Sequence, residues 1–555
     1  MSRWLRRALT LVAGFATLLA TGPALGSAQA RDGDSKLRAI NHIVVIYQEN
    51  HSFDNLFGNW EGVNGRSSAP GEKTLQHRQG DGSYACLLQQ DVNLKSPPLP
   101  ADCTGEAYAS HFANAPFDIE AFIPMTARTC PQPGVFAPNG LPPSESNLPG
   151  GCTRDIVHRF YQEQYQLDKG KQDLYVTGSD ATGLAMGFYD STQLPVYKFL
   201  HAEDAPHYAI ADDFFQSAFG GSFLNHQWLI AAATPTYPNA PASQHSIIDS
   251  NGMPASEPQY APTGSVLDRP LTQVCPSAVA NRACGDFAVN TIQPAQQPTS
   301  SNPVKLPLQT GETIGDELTA AGVSWAWYSG GWSNANGDIG GPGWTNGTTP
   351  GTCGDPDSFP NPAYPYCPNK VFQFHHQPFN YFANYAPGTA GRQHLQDEQA
   401  FVSSVAASRD KCALNSVSFI KPVGLENEHP GYTSVGRGSN HLVDLLSSIN
   451  NSACRKDTMV ILTYDEFGGS WDHVAPPGQG NDRGPHDLWG PGTRIPALII
   501  APRLRGEFVV DHTQYDTTSI LATIEHRFGL AALGTRDAGV NDLSHVFSAK
   551  SPFGD

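Results

Sequence analysis

Two apolar runs in this chain stop abruptly at acidic side chains, and that pattern limits the fold more than any other feature. The first, Ala39-Ile40-Asn41-His42-Ile43-Val44-Val45-Ile46-Tyr47, has a β-branched centre and passes straight into Gln48-Glu49-Asn50. The second, Thr458-Met459-Val460-Ile461-Leu462-Thr463-Tyr464, passes into Asp465-Glu466. Continuous runs of this kind suit strands buried on both faces of a parallel sheet. Further strand-like runs cover 495–501, 323–328 and, more weakly, 414–419, with helical patterns over 314–321, 394–407, 441–449 and 517–528. Strands alternating with helices predict an α/β fold with a mostly parallel central sheet flanked by helices. In such sheets, sites form beyond the carboxyl ends of the strands, which is where both acidic clusters fall.

The ends and the composition narrow the class. Arg3, Arg6 and Arg7 precede an uncharged, mostly apolar stretch, then Ala28-Gln29-Ala30 and a polar start at Arg31. That layout predicts a secretory signal peptide over 1–30 and an exported protein, periplasmic or extracellular. Gly22-Pro23 cuts the apolar run too short for a comfortable membrane span. The ten cysteines fit disulfides in an oxidising compartment. None forms a CxxC, which argues against a zinc ribbon; pairing between neighbours such as Cys275 and Cys284 is one arrangement among many. The net charge of -18 argues against a nucleic-acid partner. It also means that an anionic substrate needs a local positive site. Charged residues make up only 15% of the chain, below the usual share of about 25%, and Gly, Pro, Ser, Thr and Asn fill the difference. We read one catalytic domain over 31–555, with loop insertions near 61–150, 234–310 and 330–370 forming a cap.

Four motifs carry chemistry. Glu49 and Asn50 offer a carboxylate and an amide oxygen at a strand end, although Asn50 or Ser52 could equally cap a helix there, with Asp54 complementing its dipole. Asp465 and Glu466 repeat the arrangement, and adjacent carboxylates repel unless a cation or a proton intervenes. Together these four are oxygen donors suited to one hard divalent ion. The double glycine of Gly220-Gly221-Ser222 predicts a sharp turn, with a helix over 223–233. Ser222 is then either an ordinary N-cap or an activated hydroxyl at a positive helix end. His158, His375, His376 and His429 are scattered histidines that could supply positive charge within an acidic protein.

Taken in order, Glu49-Asn50-x-Ser52-Phe53-Asp54, Gly221-Ser222, Glu428-His429-Pro430-Gly431 and Tyr464-Asp465-Glu466-x-Gly468-Gly469 with Asp472-His473 resemble a known family. These are the bacterial phosphoesterases, which include an acid phosphatase branch and the secreted phospholipases C. The resemblance covers residues from about 40 to 530. It implies an alkaline-phosphatase-like fold and one divalent metal ion (Ca²⁺, Mg²⁺ or Zn²⁺) held by Glu49, Asn50, Asp465 and Glu466. It makes Ser222 the nucleophile and a further ligand. It makes His158, His376 and His429 substrate binders and proton donors, with His473 and Asp472 supporting the carboxylates from behind. His376 is preferred to His375 because it stands directly before Gln377-Pro378-Phe379. The loop 375–381 and the Gly-Gly-Ser turn look more like the acid phosphatase branch. The expectation is therefore a secreted acid phosphatase acting on small phosphate monoesters through a phosphoserine, best at mildly acidic pH. The alternatives are a phospholipase C acting on phospholipid head groups, and a non-catalytic secreted binding protein. A sulfatase would need a Cys-x-Pro-x-Arg context, which Cys275-Pro276-Ser277 does not provide.

Overall fold

The computed structural model describes residues 32–554 apart from 79, 81, 90–109, 121–123, 127–155, 180–181, 251, 256–267, 276–281, 348–371 and 431. The proposed signal peptide, half of the cysteines and much of the three insertions therefore lie outside the described residues. The first apolar run forms β1 (His42–Gln48). In chain order the sheet then takes β2 (Tyr208–Ala211), β3 (Trp325–Ser329), β4 (Leu395–Asp397), β5 (Val417–Lys421), β6 (Thr458–Tyr464), β7 (Ala497–Ile500) and β8 (Phe508–Asp511). Their order across the sheet is β4-β3-β5-β1-β6-β7-β2-β8. Only the pairings of β7, with β6 and with β2, are antiparallel; the others are parallel.

β1 and β6 are neighbours in register, with Gln48 opposite Tyr464. Their acidic extensions consequently emerge side by side. Ile43 to Ile46 are fully buried, each contributing about 1.5–3 kcal/mol, so the strand that presents Glu49 is among the firmest parts of the molecule. Around the sheet lie α1 (Phe53–Leu56), α2 (Phe160–Leu167), α3 (Ser222–Ala231), α4 (Ile314–Ala320), α5 (Glu398–Ala407), α6 (Val435–Asn450) and α7 (Thr518–Phe528).

The elements differ from the sequence reading in several places. The pattern over 394–407 splits: Leu395–Asp397 pairs with β3, and Asp397 then caps α5 by accepting from the Gln399 amide at 3.1 Å. β2 and β8 were too short to register as apolar runs. α6 starts six residues earlier than its pattern, capped by Ser434, because Gly436 and Gly438 depress local helix propensity. Disulfides join Cys275 to Cys284, the neighbour pairing considered above, and Cys412 to Cys454. Among the described residues no helix is long and apolar enough to cross a membrane.

Candidate active site

The site is built where β1 and β6 end. Glu49, Asp465 and Glu466 are fully buried there, and Asn50 nearly so. Asn50 adopts a left-handed backbone (φ 64°), an uncommon state for a non-glycine residue. Its amide donates to Asp465 Oδ1 at 3.1 Å, as does the Glu466 amide at 2.9 Å. One carboxylate oxygen thus ties both strand ends together. Asn50 is not a helix cap; Ser52 fills that role for α1, accepting from the Asn55 amide at 3.2 Å.

Ser222 is the first residue of α3, and Gly221 precedes it as N-cap without a side-chain bond. The hydroxyl is therefore free of capping duty and points at the strand ends. Ser222 Oγ lies 3.4 Å from Glu49 Oε2, 3.5 Å from Asn50 Oδ1 and 3.4 Å from Glu466 Oε1. Three histidines border the group. His376 Nε2 is 2.6 Å from Glu49 Oε1, His429 Nε2 is 3.9 Å from Glu49 Oε2, and His158 Nε2 is 3.4 Å from Glu466 Oε1. His158 is also 3.4 Å from Asn50 Nδ2. A cavity of about 240 Å³, lined by His158, Arg159, Gly221, Phe223 and Asn290 among others, opens beside them.

Asp472 and His473 are placed differently. They join Asp54 and Arg494 in a separate buried cluster: Asp54 Oδ2 accepts from His473 Nδ1 at 2.6 Å, and Arg494 Nε donates to Asp472 Oδ1 at 3.1 Å. This cluster locks the chain just beyond both strand ends, with Asp472 Oδ2 accepting from the Asp54 amide at 3.0 Å.

The electrostatics describe a site short of positive charge. Burial, then the neighbouring Asp465, raises the Glu466 carboxyl well above its ordinary value. Burial, then Glu49, raises Asp465 to about 7. Burial would raise Glu49 as well, but His376 and Lys421 hold it well below the usual range. Two carboxyl groups and an amide oxygen converging on one hydroxyl, with Asp465 beside them, fit a hard divalent cation, whose charge would relieve this repulsion. Burial pushes His376 down to about 4 despite the Glu49 carboxylate beside it.

Three participants were not read from the sequence. Lys421, at the end of β5, sits 2.5 Å from Glu49 Oε1. The weak apolar pattern over 414–419 ends two residues short of Lys421, so it does not mark Lys421 as a strand end beside β1. His226, one turn along α3 from Ser222, donates from Nδ1 to the Ser222 carbonyl at 2.7 Å. Glu163, fully buried on α2, accepts from the Gly220 amide, the Thr493 amide and Gln216 Nε2. A lone Glu in a short amphipathic helix gives no such signal.

A model of the phosphoesterase family matches residues 40–531. Phospholipase C B of Mycobacterium tuberculosis is 26% identical over 548 residues, spanning 93% of this chain and 79% of the relative. Non-hemolytic phospholipase C of Burkholderia pseudomallei is 24% identical, spanning 98% of this chain and 64% of the relative. Among solved structures, an alkaline phosphatase superfamily protein from Vibrio parahaemolyticus aligns with 65% of this chain and 65% of its own, at 13% identity and a TM-score of 0.28.

Proposed function

The chain belongs to the phosphoesterase family and is a hydrolase of phosphoric esters, and from that premise we propose that it is an exported, metal-assisted phospholipase C. One observation carries the chemistry: Ser222 Oγ stands within 3.5 Å of oxygens from Glu49, Asn50 and Glu466 at the start of a helix. The preference for a phospholipid diester is supported by the relatives, which match along nearly the whole chain. Export is supported by the N-terminal pattern and the disulfides.

Glu49, Asn50, Asp465, Glu466 and Ser222 would hold the ion, with Ca²⁺ or Mg²⁺ favoured by oxygen donors. A divalent ion there supplies polarisation of the ester oxygens and a lower pKa for the serine hydroxyl. Ser222 Oγ attacks phosphorus in line. The Oγ–P bond forms as the bond from phosphorus to the glycerol oxygen breaks. The serine proton passes to a neighbouring carboxylate such as Glu466, 3.4 Å away, and a histidine proton passes to the departing alcohol, both being restored when water reacts. His158, which lines the cavity beside Ser222, and His429, whose Nε2 faces Glu49 Oε2, would be the donors. The α3 N-terminus and Lys421 favour the negative charge. Water then cleaves the Oγ–P bond, releasing the phosphorylated head group and restoring the hydroxyl.

A monoesterase is the second reading, favoured by the Gly220-Gly221-Ser222 turn and the loop 375–381. Product analysis separates the two. Phosphatidylcholine vesicles and p-nitrophenyl phosphate would be incubated with the protein and divalent metal. Release of diacylglycerol and phosphocholine supports the phospholipase C. Rapid monoester turnover with intact phosphatidylcholine would instead give an acid phosphatase.

A further inference from the structure

Lys421 closes β5, next to β1 in the sheet, and is fully buried. Its Nζ lies 2.5 Å from Glu49 Oε1 and 3.8 Å from Asp465 Oδ2, and donates to the Gln48 carbonyl at 3.3 Å. A buried ammonium survives only where it is paired and hydrogen-bonded, and here its partners belong to the carboxylate cluster itself.

Glu49 faces two ways. Its Oε2 is turned to Ser222 and its Oε1 to Lys421 and His376. Asp465 does the same: Oδ1 binds the strand-end amides, while Oδ2 is turned towards Lys421 and His226. Ligand atoms of Glu49, His226 and Asp465 lie within 4.8 Å of one another, a grouping able to hold a cation of its own. Lys421 lies against two of its three members.

We infer that Lys421 occupies a second-cation position in this site, so that the cluster takes one divalent ion beside Ser222 and no second one. This rests on the metal reading given above. A resident ammonium supplies charge without needing to be loaded, and its tether keeps Glu49 turned so that only Oε2 faces the serine.

Metal counting by equilibrium dialysis and plasma mass spectrometry tests it, with Mg²⁺, Ca²⁺ and Zn²⁺ in turn, on wild-type protein, K421M and K421R. One ion per wild-type chain is expected, with one in K421R and two in K421M at saturating metal. One ion in both wild type and K421M would overturn the inference. So would two ions in the wild type, a result that does not depend on whether the variants fold. No ion in the wild type would instead sink the metal reading beneath it.

Discussion

Gly468 sits two residues beyond Glu466 with a left-handed backbone (φ 61°), and a Cβ added there would lie 2.1 Å from the Asn50 carbonyl oxygen. No small side-chain adjustment relieves that contact, since the obstacle is backbone. The variant G468A should therefore lose about 1–3 kcal/mol of stability and push Asn50 and Glu466 apart. Thermal unfolding and metal content would both fall; unchanged values in both would contradict this placement of the turn. At this scale the strand-end residues Glu49, Asn50, Asp465 and Glu466 were legible, because an apolar run that stops at a carboxylate announces itself. Lys421 was not: in Val417-Ser418-Phe419-Ile420-Lys421 a terminal lysine looks like an ordinary solvated strand end, and only the neighbouring β1 makes it a buried partner.

Two buried carboxyl groups tie elements together, and the first of them reaches the site. Glu163 on α2 receives the Gly220 and Thr493 amides, and its partner Gln216 accepts from the Phe467 amide at 2.9 Å. This network couples the serine turn to the Asp465-Glu466 turn. E163Q keeps the shape but sets an amide donor against amide donors. It should lower kcat by about ten- to a hundredfold through misplacement of Ser222, with KM and metal content little changed. A proportional loss of metal would show that Glu163 supports the fold and not the alignment. A second carboxyl joins α5 to α6. Burial alone would lower His441, but Glu398, 2.7 Å away, and then Glu426 raise it to about 9. A folded value above the ordinary ~6.5 stabilises the protein fully below that pH, and the contribution fades as pH rises through 9. The difference in Tm between wild type and H441Q should accordingly be largest near pH 6 and shrink by pH 9.5; a constant difference would contradict the pairing. The long central strands were readable from the sequence. The short strands β2, β4 and β8 were not, since they have four residues or fewer and draw their stability from partners; β4 and β8 also form the sheet's two edges.

For the whole molecule, the strong negative charge and the phosphoester chemistry are reconciled by geometry. A divalent ion at the strand ends, beside Lys421 and the α3 N-terminus, would give an anion the local positive site that the overall field denies. The α/β class and the mostly parallel sheet followed from alternation of apolar runs and helical patterns, whereas the Cys412–Cys454 link, between the chain after α5 and the turn after α6, had no signature, as cysteine spacing fixes no connectivity. The most direct test of the account is the turnover of phosphatidylcholine by S222A, in protein whose fold and metal content match the wild type. The account predicts a loss of roughly a thousandfold or more. Activity within tenfold of the wild type would show that the phosphoester is cleaved without this serine.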